Sequence, residues 1–599
     1  MSRRWSVVVG ALLAAAGLGV GNELTSGGAR RGFLVGYGDH IVLAPYGIHA
    51  ADPAAYAGDW FTREAPQPHW LFDLVVWAGR SVGQLPLALL IYYLLALAAF
   101  GAATALLAVR WCRPGWVAVS AAGAVGLLSS YQAIYLAGTN TLNSPLALPN
   151  VLGGNLAYLF LAAVLARRRW APVVLPFVAA AHIQMGVLVL LAGALVWGYD
   201  AWRARARFGI VRAGLLRAAL WWLSGAAVVL FGMRLRAVAS DPAAFVEICN
   251  RFIPFHCAAA TWGRWQLWST IGAAVLALGV ALRLAGRDRV RWLLAIGLPA
   301  AALVVAMYLD RRGVPVLGRL MQAYNAYRVG NLVFPFAVWG VLAPLLPFST
   351  GAARRVGAWR VGSGLLSVLV AAPATVVFYT SPGTKTRFAE EFQFARPAGP
   401  ALAALLVLAL AAWVGRTVGD RWRPGVGRVA AGVTIAGVAV GGLGIVRAGG
   451  YTGALPEPLQ WPASSAEAIW GADAQAVIPS DVQVLISPNR PNFKLAMERG
   501  VVVDCKDLPY GGAPYREWTR RLDALGGTKQ CESGSTATYD ALDAATLDRA
   551  AREFGARAIV VTRPPDGATA QAKGLEALGY RRHELYGQAA GLDTDILIR

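Results

Sequence analysis

The residues best suited to chemistry in this sequence lie between positions 36 and 73. The segment carries histidines and aspartates among aromatic residues: His40, His49, His69, Asp39, Asp52, Asp59 and Asp73. Aspartate can serve as a general base, and histidine can hold a phosphate or a hydroxyl group. Prolines and glycines punctuate the segment, and it is poor in Ser, Lys and Glu. This composition favours a folded, functional loop over a disordered connector.

Two aspartates of this segment are candidates for a catalytic carboxylate. Asp39 follows Gly36 and Gly38, and glycine lets a backbone approach a ligand closely. Asp59, beside Trp60, is the competing candidate, and turn formation is the alternative role for both. His40 and His69 are candidates for substrate binding. The histidine spacing matches no metal motif, so no metal ligand is predicted, although a divalent cation is left open as a cofactor.

The composition indicates a membrane protein. Of 599 residues 57% are hydrophobic and 15% charged, and the mean hydropathy is +0.49. About eleven apolar runs approach or exceed the length that crosses a bilayer. These runs cover residues 7–21, 85–109, 116–136, 151–166, 218–235, 270–284, 292–309, 329–348, 361–380, 401–414 and 429–446. The sequence therefore predicts a polytopic α-helical membrane protein.

The positive charge follows the predicted spans. Residues 455–599 contain 16 Lys and Arg against 19 Asp and Glu, so the net charge of +22 arises in the rest of the chain. It concentrates in alternate loops, at 110–113, 167–169, 203–217, 283–291, 354–360 and 416–428. Such loops face the cytoplasm under the positive-inside rule, which removes the need for a nucleic-acid partner. We expect a plasma-membrane protein with a cytoplasmic N-terminus and an exported C-terminus.

The apolar run 171–198 lies between two strongly basic clusters and is too short for two crossings. We predict a broken or re-entrant helix pair here, with Pro172 and Pro176 in the first arm and His182 and Gln184 near the turn. Irregular backbone at membrane depth is tolerated where it is buried in protein or lines a wet cavity. His182 and Gln184 are therefore candidate substrate-binding residues, and a kink at a helix end is the alternative role of His182.

The remaining candidates are arginines of the predicted outer loop 310–328. Arginine binds phosphate through paired hydrogen bonds, so Arg319 and Arg328 are predicted to bind substrate. Ion pairing or contact with lipid headgroups is the alternative role of each. Arg328 is the preferred candidate because it opens the next predicted span.

Beyond about residue 454 the composition becomes that of a soluble domain. We predict strands at 482–487, 501–504, 558–562 and 595–598, and helices at 516–525, 545–554 and 569–578. Their alternation predicts a small α/β domain. Cys505 and Cys531 share this exported domain, Cys249 and Cys257 share one predicted outer loop, and Cys112 is alone in a predicted cytoplasmic loop. Each of the two pairs is a candidate for a disulfide, and buried free thiols are the alternative. The predicted division is a transmembrane domain, 1–450, with a long first outer loop, 22–84, and an extracytoplasmic domain, 451–599.

This layout resembles the GT-C superfamily of polytopic glycosyltransferases. The stretches that carry the resemblance are Asp39-His40, Ala51-Asp52-Pro53, Gly58-Asp59-Trp60 and His69-Trp70-Leu71-Phe72, with Lys494–Lys506 and Glu517-Trp518 in the exported domain. They are similar to a group of bacterial proteins with the same layout. The resemblance implies a polyprenyl-phosphate sugar as donor, a cell-envelope glycan or lipid as acceptor, and inversion at the anomeric carbon. It also implies an acidic base in the first outer loop and a basic phosphate ligand nearer the C-terminus.

Two other functions remain open. A transporter or flippase of a lipid-linked or polar substrate would favour internal repeats with paired broken helices. A non-catalytic partner in envelope assembly would need only the soluble domain and contact with membrane lipids.

Overall fold

The computed structural model describes residues 2–25, 33, 35–36, 38–65, 68–112, 115–130, 146–204, 208–235, 241–323, 326–343, 461–462, 465–565, 567–587 and 592–599. The chain divides into two units. The first, here called the helical unit, comprises residues 1–32, 93–232 and 253–454. The second, here called the mixed unit, comprises residues 33–92, 233–252 and 455–599.

Several helices have the length and apolar character that a membrane requires. In the described part of the chain six could cross a bilayer: Arg3–Gly21, Leu85–Trp111, Ile183–Ala204, Leu216–Leu235, Gln266–Arg283 and Gly286–Arg311. Four apolar helices are shorter: Val117–Ser129, Pro149–Leu165, Ala171–Ala181 and Ala326–Leu342. These helices support the prediction of a polytopic helical protein. The predicted spans 361–380, 401–414 and 429–446 lie outside the described residues, so the number of spans stays a prediction.

The described part of the helical unit is almost entirely helical. Its helices are Arg3–Thr25, Leu85–Trp111 (which begins in the mixed unit), Trp116–Ser130, Pro149–Leu165, Leu175–Ala181, Ile183–Ala204, Phe208–Leu235, Pro254–Cys257, Arg264–Arg283, Gly286–Trp292, Leu298–Arg311, Pro315–Ala323 and Gly330–Leu342. Short 3₁₀ segments cover Ala171–Val174, Ala259–Thr261 and Ala326–Val329, and a π-helical segment covers Leu293–Gly297.

Aromatic side chains fill the centre of the helical unit. Trp111 meets Trp292 and Trp339 edge-on, each with ring centroids 5.2 Å apart. The Trp339 indole N–H donates to Tyr158 Oη at 2.7 Å, and Tyr158 Oη lies 3.3 Å from the Thr104 hydroxyl. The polar atoms of these large side chains thus have partners inside the apolar core, as burial requires.

Ion pairs join loops that were predicted to share the cytoplasmic side. The Asp288 carboxylate accepts from Arg110 and from Arg167, each at 2.7 Å, and Asp200 accepts from Arg291 at 2.6 Å. The helix ends at these positions therefore lie together within the helical unit. Since the two oxygens of Asp288 bind different arginines, one carboxylate offsets part of the repulsion between two clusters of positive charge.

The mixed unit combines three separate stretches of chain. Its helices are His40–Leu43, Pro45–Ala51, Trp60–Glu64, Trp70–Ser81, Pro242–Arg251, Ser465–Val477, Pro491–Met497, Gly512–Asp523, Lys529–Ser533, Ala537–Asp540, Ala544–Phe554 and Ala570–Ala577. The stretch around residue 247 is tied to the C-terminal stretch by a hydrogen bond from Tyr515 Oη to Glu247 Oε1 at 3.0 Å. The stretch before residue 92 is tied to it by ion pairs that are described with the candidate site.

A four-stranded sheet forms the centre of the C-terminal stretch. Its strands are β1 (Val484–Leu485), β2 (Ala558–Thr562), β3 (Arg581–Leu585) and β4 (Thr594–Ile598), in the order β1-β2-β4-β3. β1 and β2 are parallel, whereas β4 is antiparallel to both β2 and β3. The predicted strand 501–504 is wrong, because Val501 makes only an isolated bridge to Val484. β3 was not predicted.

One disulfide confirms a sequence prediction. Cys505 and Cys531 are bonded and close a loop of 26 residues. A crosslink of this kind restricts the unfolded chain and thereby favours the folded state. Cys112, which was predicted in a cytoplasmic loop, is a buried free thiol.

Candidate functional site

The predicted helix break at His182 is present. Leu175–Ala181 ends at His182, whose extended backbone (φ −157°, ψ 109°) interrupts the helix, and Ile183–Ala204 begins immediately after it. The two arms fold back closely, since a Cβ on Gly186 would lie 2.7 Å from Ala179 Cα. The second arm is long enough to cross a membrane by itself, whereas the prediction placed both arms within one short run.

The break brings His182 to Arg328. Arg328 Nη1 lies 3.2 Å from His182 Nε2, and the His182 side chain is buried. A guanidinium can only donate, so Nε2 accepts and the proton of a neutral ring sits on Nδ1. The Met185 amide approaches Nδ1 at 3.4 Å. A neutral imidazole accepts at one nitrogen only, and the shorter contact with a charged donor decides the tautomer.

The neighbours of Arg328 fix its position. Arg328 lies in the 3₁₀ segment Ala326–Val329, next to the fully buried Tyr327. The Tyr327 hydroxyl donates to Asp310 Oδ2 at 3.0 Å, and its ring meets the ring of Trp262 with centroids 5.0 Å apart. The segment is therefore anchored on one side while Arg328, which is half-buried, points to His182.

The other predicted residues of the helical unit differ in exposure. Gln184 is half-buried in the first turn after the break, two residues from His182. Arg319 is exposed on the helix Pro315–Ala323. The structure thus brings His182 and Arg328 into direct contact and places Gln184 beside the same break.

Asp39 is an accessible carboxylate at a glycine turn in the mixed unit. Gly36 and Gly38 both have positive φ, 65° and 61°, which favours glycine at these positions. The Asp39 side chain is 56% exposed, and its Oδ1 lies 3.6 Å from Lys506 Nζ. An ion pair so long and so exposed binds weakly. Asp39 is therefore open to solvent and to a ligand.

Asp59 has the opposite environment. Its carboxylate is fully buried and accepts from the Thr62 amide at 3.0 Å, the Thr62 hydroxyl, Lys494 Nζ at 2.9 Å and the Val501 amide at 3.4 Å. It caps the helix Trp60–Glu64 and pairs with the ammonium at the same time. These contacts are those of a structural carboxylate, so Asp59 is poorly placed to accept a proton from a substrate.

Lys494, Asp504 and Asp507 are charged residues around Asp59 to which sequence reasoning assigned no role. Lys494 Nζ donates to Asp59 and to Asp507, and all three side chains are buried. Burial opposes the charge, but the carboxylates of Asp507 and Asp59 outweigh it and raise the pKa of Lys494. Burial and the neighbouring Asp504 carboxylate raise the pKa of Asp507, because three acids share one ammonium. In the sequence, the cluster of charged residues at 494–507 is the only feature that could have indicated this buried group of charges.

The predicted histidines of the mixed unit lie at different depths. His40 is fully buried, and its ring is stacked on Phe72 with centroids 6.0 Å apart. His69 is half-buried and immediately precedes the helix Trp70–Ser81. Their assignment to substrate binding stays a prediction. No group of three or more His, Cys, Asp or Glu side chains suited to a metal ion occurs among the described residues.

A second ion cluster of the mixed unit surrounds Arg80. Its guanidinium makes paired bonds to Glu498, at 3.1 and 2.7 Å, and a further bond to Asp52 at 3.1 Å. Asp52, an aspartate of the early segment, thus takes part in this cluster. Glu498, like Lys494, belongs to the segment that the resemblance singled out.

Comparison with known proteins gives one local match. Residues 470–525 match a domain family described as a domain of unknown function, DUF6798. The matched segment contains Lys494, Glu498, Asp504 and Asp507 and so includes the C-terminal partners of both ion clusters. No curated protein matches the chain. The similarity therefore covers a part of the mixed unit, and the matched family indicates no activity.

Proposed function

We propose that this protein is a membrane glycosyltransferase that uses a polyprenyl-phosphate sugar as donor. An acceptor hydroxyl of the cell envelope attacks the anomeric carbon from the face opposite the leaving group. The bond between that carbon and the phosphate oxygen breaks, the acceptor proton passes to Asp39, and polyprenyl phosphate leaves. The configuration at the anomeric carbon is inverted.

The contact between Arg328 and His182 is the observation that supports this proposal most. Two polar residues 146 positions apart meet at a helix break of the helical unit. A fixed guanidinium in a low-dielectric setting would stabilise the charge that develops on a departing phosphate. The His182 ring would hold the guanidinium in place, and Gln184 would add a neutral donor beside the same break.

Asp39 is the proposed base because its carboxylate is exposed and only loosely paired. Asp59 is not proposed for this role, since Lys494, Thr62 and Val501 already occupy its oxygens. His69 and Arg319 are proposed as peripheral contacts to the sugar and the phosphate. His40, which is buried against Phe72, is proposed to support the Asp39 turn.

The proposed topology places the reaction on the outer face of a bacterial plasma membrane. About eleven spans and a cytoplasmic N-terminus put the mixed unit outside. The disulfide between Cys505 and Cys531 supports export of that unit, because disulfides persist in oxidising compartments. A lipid-linked donor suits such a site, since its tail stays in the bilayer while its sugar reaches the aqueous side.

The test is sugar transfer by the purified full chain in nanodiscs. A panel of radiolabelled polyprenyl-phosphate sugars is supplied with envelope extract as acceptor. Asp39→Asn should lower transfer by about 10²–10⁴-fold. Arg328→Gln should lower it by about 10²–10³-fold. Matched controls are Glu64→Gln, an exposed acid of the same segment as Asp39, and Arg312→Gln, an exposed arginine of the same predicted outer loop as Arg328.

Transfer that survives Asp39→Asn would remove Asp39 as the base. Absence of transfer from every donor would favour the second candidate, a non-catalytic partner in envelope assembly. The buried ion pair of Asp59 with Lys494 favours that candidate, because it gives an acid of the predicted first loop a structural role. A pull-down of envelope enzymes that depends on the mixed unit would then be the expected result.

A further inference from the structure

The mixed unit contains a cavity of about 410 Å³. Arg80, Trp461, Gln475 and Glu498 are among the side chains that line it, together with Leu85 and Pro86. Its volume falls in the range of small-ligand sites. The lining combines one large aromatic ring with groups that donate and accept hydrogen bonds.

The charges at this cavity argue against an anionic ligand. Arg80 is the basic residue of its lining, and its guanidinium is held by Glu498 and Asp52. Two carboxylates thus face one guanidinium. Burial raises the pKa of Glu498, while Arg80 acts in the opposite direction. A phosphate would meet net negative charge, whereas hydroxyl groups could donate to the carboxylate and accept from the guanidinium.

The backbone at the cavity is strained. Glu498 has a left-handed conformation with φ 47° and ψ 39°, although it is not a glycine. The adjacent Tyr56 also has positive φ, 56°, and its amide donates to the Glu498 carbonyl at 3.0 Å. Such conformations persist where the surroundings impose them, and they cluster at ligand sites.

The cavity lies at the start of a candidate membrane span. Leu85 and Pro86, which line it, are the first two residues of Leu85–Trp111. The end of a span marks the depth of the lipid headgroups, where tryptophan is also enriched. A ligand in the cavity would therefore be held close to the membrane surface.

We propose that this cavity binds a neutral, hydroxyl-rich sugar unit. The Trp461 ring provides an apolar surface for a sugar face, and Glu498, Arg80 and Gln475 provide hydrogen bonds to its hydroxyls. The sugar belongs either to a soluble or wall-bound glycan or to a glycolipid headgroup, which share this chemistry. Binding itself does not depend on transferase activity, but identifying the bound glycan as the acceptor rests on the function proposed above.

The test is saccharide binding by the full chain in nanodiscs without any donor. One arm titrates neutral oligosaccharides into nanodiscs of plain phospholipid by calorimetry. The other arm incorporates neutral glycolipids into the nanodisc and measures protection of the protein against thermal unfolding. Inorganic phosphate serves as the anionic comparison and should not bind at the cavity.

The variant that tests the cavity is Ala472→Trp, which places a large side chain on its lining. Its matched control is Ala476→Trp on the same helix, an exposed position outside the lining. Ala472→Trp should weaken saccharide binding by at least about tenfold, which corresponds to ~1.4 kcal/mol. Ala476→Trp should leave the affinity within about twofold of wild type, well under ~1 kcal/mol.

Failure of all neutral saccharides and glycolipids to bind wild type would overturn the inference. Equal weakening by both tryptophan variants would overturn it as well, because the effect would then be independent of the cavity. Saccharide binding without any sugar transfer would leave this inference standing and count against the transferase. Transfer that persists in Ala472→Trp after binding is lost would separate the bound glycan from the acceptor.

Discussion

Lys494 Nζ donates to Asp59 Oδ2 across 2.9 Å, although the two residues lie 435 positions apart. Both side chains are buried, at 1% and 0% exposure. A buried ammonium is tolerated only when carboxylates compensate its charge, so the early segment and the C-terminal stretch depend on each other within the mixed unit. Asp59 thereby links two parts of the chain that sequence reasoning had assigned to separate domains.

The first prediction concerns the loss of this ammonium. Lys494→Met should destabilise the mixed unit by about 3–5 kcal/mol, because Asp59 would then be buried without a counter-charge and Asp507 would lose its hydrogen-bond donor. Thermal unfolding of the purified full chain, together with protease resistance of residues 461–599, would measure the effect. Lys506→Met is the control, since Lys506 makes a long ion pair with exposed Asp39 and should contribute under ~1 kcal/mol.

A double variant isolates the pair from the lysine side chain. Adding Asp59→Asn to Lys494→Met removes the buried carboxylate that has lost its counter-charge, and it should recover part of the lost stability. Strictly additive losses would show that Asp59 and Lys494 do not interact in solution.

The second prediction follows from the raised pKa of Asp507. An acid whose folded pKa lies above its ordinary value of 3.8 holds its proton in the folded state while the unfolded chain has lost it. The free energy of unfolding that this acid contributes therefore falls as the pH rises from 3.8 toward the folded pKa. Asp507→Asn lacks this contribution, so it should gain stability relative to wild type with rising pH, by up to about 1.4 kcal/mol per pH unit.

Unfolding curves of both proteins at several pH values between 4 and 8 would provide the comparison, on the order-of-magnitude scale set by linkage. Asp523→Asn, a substitution of an exposed acid in the same domain, should show the same pH dependence of the free energy of unfolding as wild type. If the free energy of unfolding of Asp507→Asn instead falls relative to wild type as the pH rises, the Lys494 ammonium outweighs burial and lowers the pKa of the Asp507 carboxyl.

The sequence predicted the features that depend on local patterns. The break at His182 could be predicted because two prolines and two basic clusters bound a run that is too short for two crossings. β2 could be predicted from the continuous apolar residues Ala558–Thr562. By contrast β3, Arg581–Leu585, carries Arg-Arg-His-Glu and buries only Leu585, so no alternation of apolar and polar residues indicated a strand.

The ion clusters depend on contacts between distant parts of the chain. In the sequence Asp59 resembles an ordinary turn residue, because its contact with Lys494 is not visible there. Arg80 likewise resembles a surface arginine, because its contact with Glu498 is not visible. The pairing of a buried charge is decided by the tertiary structure, which a single sequence does not display. The contact between Arg328 and His182 shows the same limit: the sequence singled out both residues as polar groups near apolar spans, but not that they meet.

The third prediction compares two glycines of the mixed unit that share a backbone conformation. Gly36 and Gly83 have φ values of 65° and 69°, so alanine costs about 1–2 kcal/mol at either position. A Cβ on Gly36 would also lie 2.7 Å from Pro462 Cα, whereas nothing lies within 4 Å of a Cβ on Gly83. Gly36→Ala should therefore lower the unfolding temperature clearly more than Gly83→Ala. Equal shifts would mean that Pro462 does not pack against the Asp39 turn.

The fourth prediction uses the same approach for the helical unit. Gly153 lies inside the helix Pro149–Leu165, and a Cβ there would be 2.5 Å from His182 Cβ. Glycine to alanine within a helix normally stabilises it by up to about 1 kcal/mol, and Gly198→Ala, with nothing within 4 Å, should do so. Gly153→Ala should instead destabilise the chain by about 1–3 kcal/mol, because His182 has to move.

A second substitution shows whether His182 causes that loss. Removing its Cβ in the double variant Gly153→Ala with His182→Gly creates the space that alanine needs, so the two substitutions together should cost less than the sum of their separate effects. Thermal unfolding of the four proteins in the cycle gives this coupling. Movement of His182 would also loosen Arg328, so Gly153→Ala should weaken protection by a polyprenyl phosphate ligand while Gly198→Ala leaves it intact. A stable Gly153→Ala protein with wild-type ligand protection would show that the helix break does not press against Gly153, and the proposed support of Arg328 by His182 would lose its structural basis.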